Sequence, residues 1–242
     1  MTRPTAAPTA GALDLLHVPA DPRAVVVLLH GGRADSLGPP TRLNLPARRM
    51  DLFARALRRG LPGDVVLLAR VRYRHRGWNG PAAHPVQDAR RALAGVAALA
   101  PGRPVALVGH SMGGRAAIAV ADGPGVRGVV ALAPWCPPGE PVAHLAGRSL
   151  VILHDEHDRV TSAEQSWALA RRAAAARARV GTVAMPRGGH AMLRDAGGWH
   201  RLTVDAVAAV LTGAPLFLAS ATPVGPDSPP RPPYLRNSRH PV

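Results

Sequence analysis

Short apolar segments recur along the chain, and each has the length of a buried strand. They cover 25–29, 65–69, 105–108, 129–133, 150–153 and 180–185. The segments are rich in valine and leucine and do not alternate with polar residues. Continuous apolar strands are typical of parallel sheets, in which both faces of a strand are buried. The pattern therefore predicts the central strands of a parallel sheet.

Between these segments the apolar residues follow helical spacing. After Pro85 they share one helical face, and the residues are Val86, Ala89, Leu93, Val96, Ala97 and Ala100. A second helix is expected to begin at Thr161 or Ser162, because a Glu or Gln follows each at the spacing of a capping box. It should end near Arg177, and a last helix covers 198–211. Strands that alternate with helices predict an α/β fold, with a mostly parallel sheet and helices on both faces.

Length and composition favour one catalytic-size domain. The chain has 242 residues, of which 47% are hydrophobic, so it can bury a sizeable core. We expect a disordered N-terminus over 1–11, a domain over 12–212 and a disordered, proline-rich tail over 213–242. No apolar stretch of about 18 residues is present, and the N-terminus lacks the apolar core of a signal peptide. We therefore expect a cytoplasmic protein without a membrane partner.

The formal charge of +15 raises the question of nucleic-acid binding. The basic residues are all arginines, and they are dispersed among alanine, proline and glycine rather than clustered. Aromatic side chains, which form the stacking platforms of single-strand binders, make up only 3% of the chain. Composition therefore argues against nucleic acid as a partner. The single cysteine, Cys136, excludes an intrachain disulfide.

One predicted strand ends in a serine between glycines. The sequence Gly109-His-Ser111-Met-Gly113 follows the strand 105–108 and precedes a run of small residues that favours a helix. A G-x-S-x-G sequence between a strand and a helix is the pattern of a nucleophile elbow. The serine there adopts a strained backbone conformation, and side chains at the glycines would collide with neighbouring backbone. Ser111 is therefore a candidate nucleophile.

A serine needs a base and an orienting acid, which this architecture supplies later in the chain. Asp155 and Asp158 follow the strand next but one after the elbow, and His190 lies in a glycine-flanked loop after the last predicted strand. All should lie at the carboxyl edge of the sheet, where either aspartate is a candidate acid. His154 and His157 could suggest a metal site, but they leave a strand rather than share a helical face, so we expect no metal.

A further motif, His30-Gly31-Gly32, directly follows the first predicted strand. With the elbow of Ser111, the acidic loop and His190, it gives an oxyanion-hole HG motif, a serine elbow, a late acid and a last histidine, in that order. In these elements the chain resembles the α/β-hydrolases over residues 13–211. An Arg70–Asn79 stretch is also similar to an RYR-x-RGWN sequence of small, mostly bacterial members.

The resemblance implies a role for each matching residue. Ser111 would be the nucleophile, His190 the general base and acid, and Asp158 the carboxylate that orients the imidazole. Asp158 is preferred because it is the last aspartate of its loop and so matches the family position. The backbone N–H groups of Met112 and Gly32 would form the oxyanion hole. No cofactor is implied.

The size of the site is also partly indicated. Families with a cap domain insert it after the strand that follows the elbow helix, and here only 135–148 separates that strand from the next. We therefore expect no sizeable cap and an open site, bounded by 35–45 and by the loop at Trp135. Candidate substrate contacts are Gly31, His110, Trp78 and Trp135. Trp78 could equally pack beneath the 70–79 loop.

These features predict a serine-dependent carboxylic ester hydrolase that cleaves small esters or thioesters through an acyl-enzyme on Ser111. Two alternatives remain open. One is a catalytically silent binding protein with the same fold, and the other is an acyltransferase or amidase that uses the same site. The oligomeric state, the physiological substrate and the pathway are not indicated by the sequence.

Overall fold

The computed structural model describes residues 11–41, 44–216 and 221–223. Its strands are β1 (Leu13–His17), β2 (Ala24–Leu29), β3 (Val66–Val71), β4 (Val105–His110), β5 (Val126–Leu132), β6 (Ser149–Asp155), β7 (Arg179–Met185) and β8 (Ala221–Pro223). Its helices are α1 (Leu45–Gly60), α2 (His84–Leu99), α3 (Met112–Ala119), α4 (Ala163–Ala175) and α5 (Ala196–Thr212). Each predicted strand and helix has a counterpart here, with shifted ends.

One sheet contains all of these strands, in the order β1-β3-β2-β4-β5-β6-β7-β8. The strands from β2 to β7 pair in parallel, whereas β1 and β8 pair antiparallel at the two edges. The carboxyl ends of the parallel strands therefore lie along a single edge of the sheet. The predicted mostly parallel sheet is confirmed.

Both faces of the sheet are covered by helices. Alternate residues of β2 lie in different core clusters, Val25 and Val27 in one and Val26 and Leu28 in the other. Helices α2, α3 and α4 contribute to the first cluster, and α1 and α5 contribute to the second. Because a strand directs successive side chains to opposite faces, apolar residues at every position are buried on both sides. This explains the continuous apolar strands of the sequence.

The structure contains elements that the sequence analysis does not assign. Helix α1 begins near Pro46 and buries Met50, Phe53 and Leu57 at helical spacing, a pattern that could have predicted it. Strands β1 and β8 were also not predicted. Strand β8 lies within the predicted disordered tail, so the structure differs from that prediction at 221–223. The remaining tail residues, 217–220 and 224–242, and the N-terminal residues 1–10 lie outside the described residues.

The connection from β5 to β6 carries no cap. Residues 133–148 contain only a short 3₁₀ turn, Ala143–Leu145, in agreement with the expected lack of a cap domain. The carboxyl edge of β4 is consequently not covered by a helical insertion at this point. Within the described residues, no helix is long and apolar enough to cross a membrane.

Candidate active site

Ser111 lies at the sharp turn between β4 and α3. Its backbone has φ 54° and ψ −119°, a strained conformation for a residue with a side chain. The turn also requires glycines around it. A Cβ at Gly109 would lie 2.3 Å from the carbonyl oxygen of Gly113, and one at Gly113 would lie 2.3 Å from that of Leu29. The glycines of the motif are thus required by close backbone approach, as the sequence predicts.

The structure brings Ser111, His190 and Asp158 into one hydrogen-bonded series. His190 Nε2 lies 3.0 Å from Ser111 Oγ, and His190 Nδ1 lies 2.8 Å from Asp158 Oδ2. An ionised carboxylate can only accept, so Nδ1 carries the proton of the neutral ring. Nε2 is then free to accept a hydrogen bond from the serine hydroxyl. This is the geometry required of a general base beside a nucleophile.

The carboxylate of Asp158 is fully buried but surrounded by donors. Its Oδ1 accepts backbone N–H groups from Val160 at 2.7 Å and Thr161 at 3.2 Å, and its Oδ2 accepts the Thr161 hydroxyl at 2.9 Å. Burial raises the pKa of this carboxyl, but hydrogen bonds from His154 and His190 and from the Val160 N–H outweigh it, so the pKa lies well below its usual range. The group is therefore an anion that faces His190.

Asp155, the other candidate acid, has a different position. Its Oδ2 accepts the backbone N–H of Gly189 at 2.7 Å, and its Oδ1 accepts that of His157 at 2.9 Å. Asp155 therefore holds the loop that carries His190, while Asp158 contacts the imidazole itself. The geometry favours Asp158 as the orienting carboxylate.

The sequence analysis considered His154 only as a conceivable metal ligand, whereas the structure places it against Asp158. Its ring is fully buried, with Nε2 3.3 Å from Asp158 Oδ2 and Nδ1 2.8 Å from Ser166 Oγ. Because an ionised Asp158 only accepts, Nε2 donates to it. Asp158 is thus shared by two imidazoles. His154 and Asp158 are four residues apart in the sequence. That spacing predicts a contact in a helix, but it predicts none in a loop whose backbone geometry is not known.

Met112 and Gly32 lie together beside Ser111. Met112 is the first residue of α3, where backbone N–H groups have no acceptor within the helix. A Cβ at Gly32 would lie 2.5 Å from Met112 Sδ and 2.4 Å from the Arg76 carbonyl oxygen, so only glycine fits at this position. The two backbone positions expected to form an oxyanion hole therefore lie on adjoining segments.

His110 packs directly against His190. The ring centroids are 4.8 Å apart, and His110 Nε2 donates to the backbone oxygen of His190 at 2.9 Å. Burial and the neighbouring His190 lower the pKa of His110 to about 3, so its ring is neutral. Nδ1 is buried near Gly31, whose Cβ position would lie 3.1 Å away, and no described residue is its hydrogen-bond partner. His110 thus supports the loop that carries His190.

The two candidate tryptophans differ in their exposure. Trp135 is half-buried, and its backbone N–H donates to the Ser111 carbonyl oxygen at 3.1 Å. Trp78, in contrast, is only 6% exposed. The Arg115 guanidinium lies 3.7 Å from its ring centroid and is paired with Glu140. Arg115 and the surrounding core thus cover the Trp78 indole, and its contact with substrate stays a prediction.

The notion of a metal at the His154 loop also finds no support in the geometry. The ring of His154 is fully buried, whereas the side chain of His157 is 89% exposed, so the two face different environments. Within the described part of the chain, no group of three His, Cys, Asp or Glu side chains is arranged to hold a metal ion.

Comparisons with known proteins agree with this architecture. A family model described as serine aminopeptidase, S33, matches residues 72–151, less than half of the chain. A comparison with curated proteins gives no match.

Among solved structures, the esterase domain of a Rhodothermus marinus protein is 21% identical, with a TM-score of 0.57 over 82% of this chain and 90% of that one. A serine hydrolase without a lid from Xanthomonas campestris is 17% identical, with a TM-score of 0.56 over 83% and 85%. A putative α/β-hydrolase from Agrobacterium tumefaciens is 15% identical, with a TM-score of 0.64 over 84% and 92%. At these identities the likeness concerns the fold.

Proposed function

We propose that this chain, which has the fold of the α/β-hydrolases, is a serine hydrolase that cleaves small carboxylic esters or thioesters. The observation that carries the proposal is the series from Ser111 through His190 to Asp158, with contacts of 3.0 and 2.8 Å. These contacts join residues from three separate loops at one edge of the sheet. A structural role alone would not require a serine hydroxyl, an imidazole and a buried carboxylate in this order.

In the first step, Ser111 Oγ attacks the substrate carbonyl carbon while His190 Nε2 takes the hydroxyl proton. The carbonyl oxygen becomes an oxyanion, which accepts hydrogen bonds from the backbone N–H groups of Met112 and Gly32. The imidazolium is stabilised by Asp158, whose ionised state is favoured by its donors. His190 then gives the proton to the departing alkoxide or thiolate, and an acyl ester on Ser111 remains.

In the second step, a water molecule attacks the acyl-enzyme. His190 removes a proton from the water, the same two N–H groups stabilise the second oxyanion, and the carboxylic acid departs as Ser111 regains its proton. Apart from the water molecule, these steps use side chains and backbone of this chain, and Ser111 is the residue that carries the acyl group.

The short connection between β5 and β6 supports a preference for small acyl groups. Residues 133–148 hold no helical cap that could enclose a long alkyl chain. Burial of each additional methylene group would stabilise a bound substrate by about 0.8 kcal/mol, and an open site cannot provide that burial. Activity should therefore not rise steadily with acyl length.

The test is a burst assay with p-nitrophenyl esters from acetate to decanoate, performed on the wild type and on Ser111→Ala. We expect a burst of nitrophenol followed by slower turnover, with the best activity on short esters. Loss of the nucleophile should lower kcat by about 10⁴-fold or more. Thermal unfolding of the same samples shows whether Ser111→Ala remains folded.

Labelling by a serine-directed phosphonate separates the remaining functions. Labelling of Ser111 together with rapid product formation only in the presence of an alcohol or amine acceptor would indicate an acyltransferase. Cleavage of an anilide at a rate comparable to that of the ester would indicate an amidase. A folded protein that shows neither labelling nor turnover would contradict the proposal and favour a binding protein.

A further inference from the structure

The arginines of the 70–79 segment differ in their partners. Arg70 pairs with Asp14 and Asp51. Arg72 also pairs with Asp14, at 2.5 Å, and Arg74 pairs with the fully buried Asp88, at 2.7 Å.

Arg76 is the exception in this segment, because no acidic side chain among the described residues contacts it. Its Nε is also buried without an acceptor in this part of the chain. A buried guanidinium N–H without an acceptor is costly, so an acceptor oxygen on a bound molecule would relieve that cost.

The backbone of Arg76 is held in place from both sides. Its N–H donates to the Gly38 carbonyl oxygen at 2.9 Å, and its own carbonyl oxygen accepts the N–H of Arg33 at 2.9 Å. The residue is half-buried between these two loops. The position of Arg76 is therefore fixed by the fold rather than by an ion pair.

Arg76 lines a cavity of about 240 Å³ that adjoins the proposed oxyanion hole. The cavity is lined by Gly31, Gly32, Arg33, Thr41, Asn44, Leu45, Pro46 and Arg76. Gly32 is the residue whose N–H would bind the oxyanion, so a substrate whose carbonyl oxygen is held there can extend into this cavity. Gly31 and Gly32 therefore connect this cavity with the proposed oxyanion hole.

The lining of this cavity is positively charged. Two of its described lining residues, Arg33 and Arg76, are arginines, and none is an aspartate or a glutamate. The N-terminus of α1 also lies here, and its cap residue Asn44 makes no side-chain hydrogen bond to the helix. The positive end of the helix dipole thus adds to the two guanidinium groups. The cavity is suited to an anion, and a guanidinium binds a carboxylate through two parallel hydrogen bonds.

We propose that the cavity at Arg76 binds a carboxylate of the substrate, so that the preferred substrate is an ester or thioester that carries a second, ionised carboxyl group. This inference rests on the proposed hydrolase function, because it names the substrate class of the same site. Arg76 determines specificity, with Arg33 beside it, and takes no part in proton transfer.

The first test compares p-nitrophenyl pentanoate with the mono-p-nitrophenyl ester of glutarate, which differ mainly by a terminal carboxylate. Butyl acetate and 4-acetoxybutanoate form a second pair, with the charge on the alcohol portion. We expect the wild type to favour the charged member of one pair in kcat/KM by about 10-fold or more, the effect of one charge-assisted contact. The pair that shows the preference identifies the portion of the ester that enters the cavity.

Two variants test whether the preference for the charged ester comes from Arg76 itself or from the positive charge of the whole chain. Arg76→Gln should abolish the preference, bringing the ratio of kcat/KM for the charged ester to that for the neutral ester close to one, since the charged ester loses its partner. Arg72→Gln is the matched control. It removes an arginine from the same segment whose side chain is 55% exposed and paired with Asp14, so the preference should persist. Equal preference in both arginine variants would overturn the proposal.

A binding measurement distinguishes failure of this proposal from failure of the hydrolase function. Glutarate is titrated calorimetrically into Ser111→Ala, which cannot turn over, and into the same protein with Arg76→Gln. Saturable binding that is lost with Arg76 supports the subsite whether or not the esters are cleaved. Cleavage of neutral esters without any preference for the charged ones, or no glutarate binding that depends on Arg76, overturns the subsite and leaves the hydrolase proposal standing.

Discussion

At the scale of single residues, the acid of the candidate triad is the most heavily coordinated group. Asp158 contacts two imidazoles, one hydroxyl and two backbone N–H groups. Hydrogen bonds lower the basicity of a carboxylate, so each donor weakens its hold on the proton of His190. The strength of the base at Ser111 is thus set partly by His154, which never approaches the serine.

We predict that His154→Ala shifts the acid limb of the kcat/KM profile to higher pH by about half a unit to one unit, as expected for one hydrogen bond of about 1 kcal/mol. With one donor fewer, Asp158 favours the protonated form of the facing imidazole more strongly. A pH profile with a short p-nitrophenyl ester measures this shift. His154→Asn retains a donor and should move the limb less, whereas identical profiles for all three proteins would contradict a positioning role.

At the scale of elements, the junction of β4 and α3 depends on how closely three backbone segments approach. Gly113 in α3 lies against the end of β2, and Gly109 in β4 lies against α3. This contact fixes α3 so that its first N–H groups and Ser111 face the same edge of the sheet. The geometry of the candidate site is therefore a consequence of glycine packing rather than of any single hydrogen bond.

We predict that Gly113→Ala destabilises the protein by about 2–4 kcal/mol or prevents folding, because the added Cβ would lie 2.3 Å from a backbone oxygen that has no space to move. Urea unfolding gives the free energy. The control is Gly197→Ala in α5, where nothing lies within 4 Å of the added Cβ. Alanine favours a helix, so this variant should be neutral or more stable by up to about 1 kcal/mol. Similar losses for both variants would refute the packing argument.

At the scale of the whole molecule, the pH dependence of stability should reflect histidines that the fold buries near the site. Burial lowers the pKa of His30 to about 4, and burial and His190 lower that of His110 to about 3. Both values lie below the ordinary 6.5, so the unfolded chain binds protons more tightly than the folded one. Their contribution to stability is complete above pH 6.5 and is lost as the pH falls through the folded values.

We therefore predict that the free energy of unfolding decreases from about pH 7 to about pH 4.5, by about 2–3 kcal/mol for each of the two histidines. The lowered pKa values of Asp14 and Asp158 affect stability mainly below their ordinary value of 3.8. The decrease in this window therefore comes from histidines, and the lowered pKa of His200 adds to it. Urea titrations across the window measure the slope. His30→Gln should reduce it, and an unchanged slope in this variant would show that His30 makes no such contribution.

The sequence by itself determined the parallel sheet, the absence of a helical cap and the position of the elbow. Continuous apolar strands can only be buried on both faces, and the glycines around Ser111 mark a turn that no other residue fits. It also predicted that Ser111, His190 and an aspartate meet at one edge, because the carboxyl ends of parallel strands lie along the same edge. The roles of these residues and the domain ends remain predictions to be tested by experiment.

Only the tertiary structure decided which side chains become partners. It placed Asp158 rather than Asp155 against His190, added His154 to the same carboxylate, and buried Trp78 beneath Arg115. Among the described residues, it also gave the other arginines of the 70–79 segment an acidic partner but not Arg76. Such choices depend on distances of a few ångströms between loops far apart in the chain. Local sequence patterns specify strands and turns, but they do not specify which loop a side chain will meet.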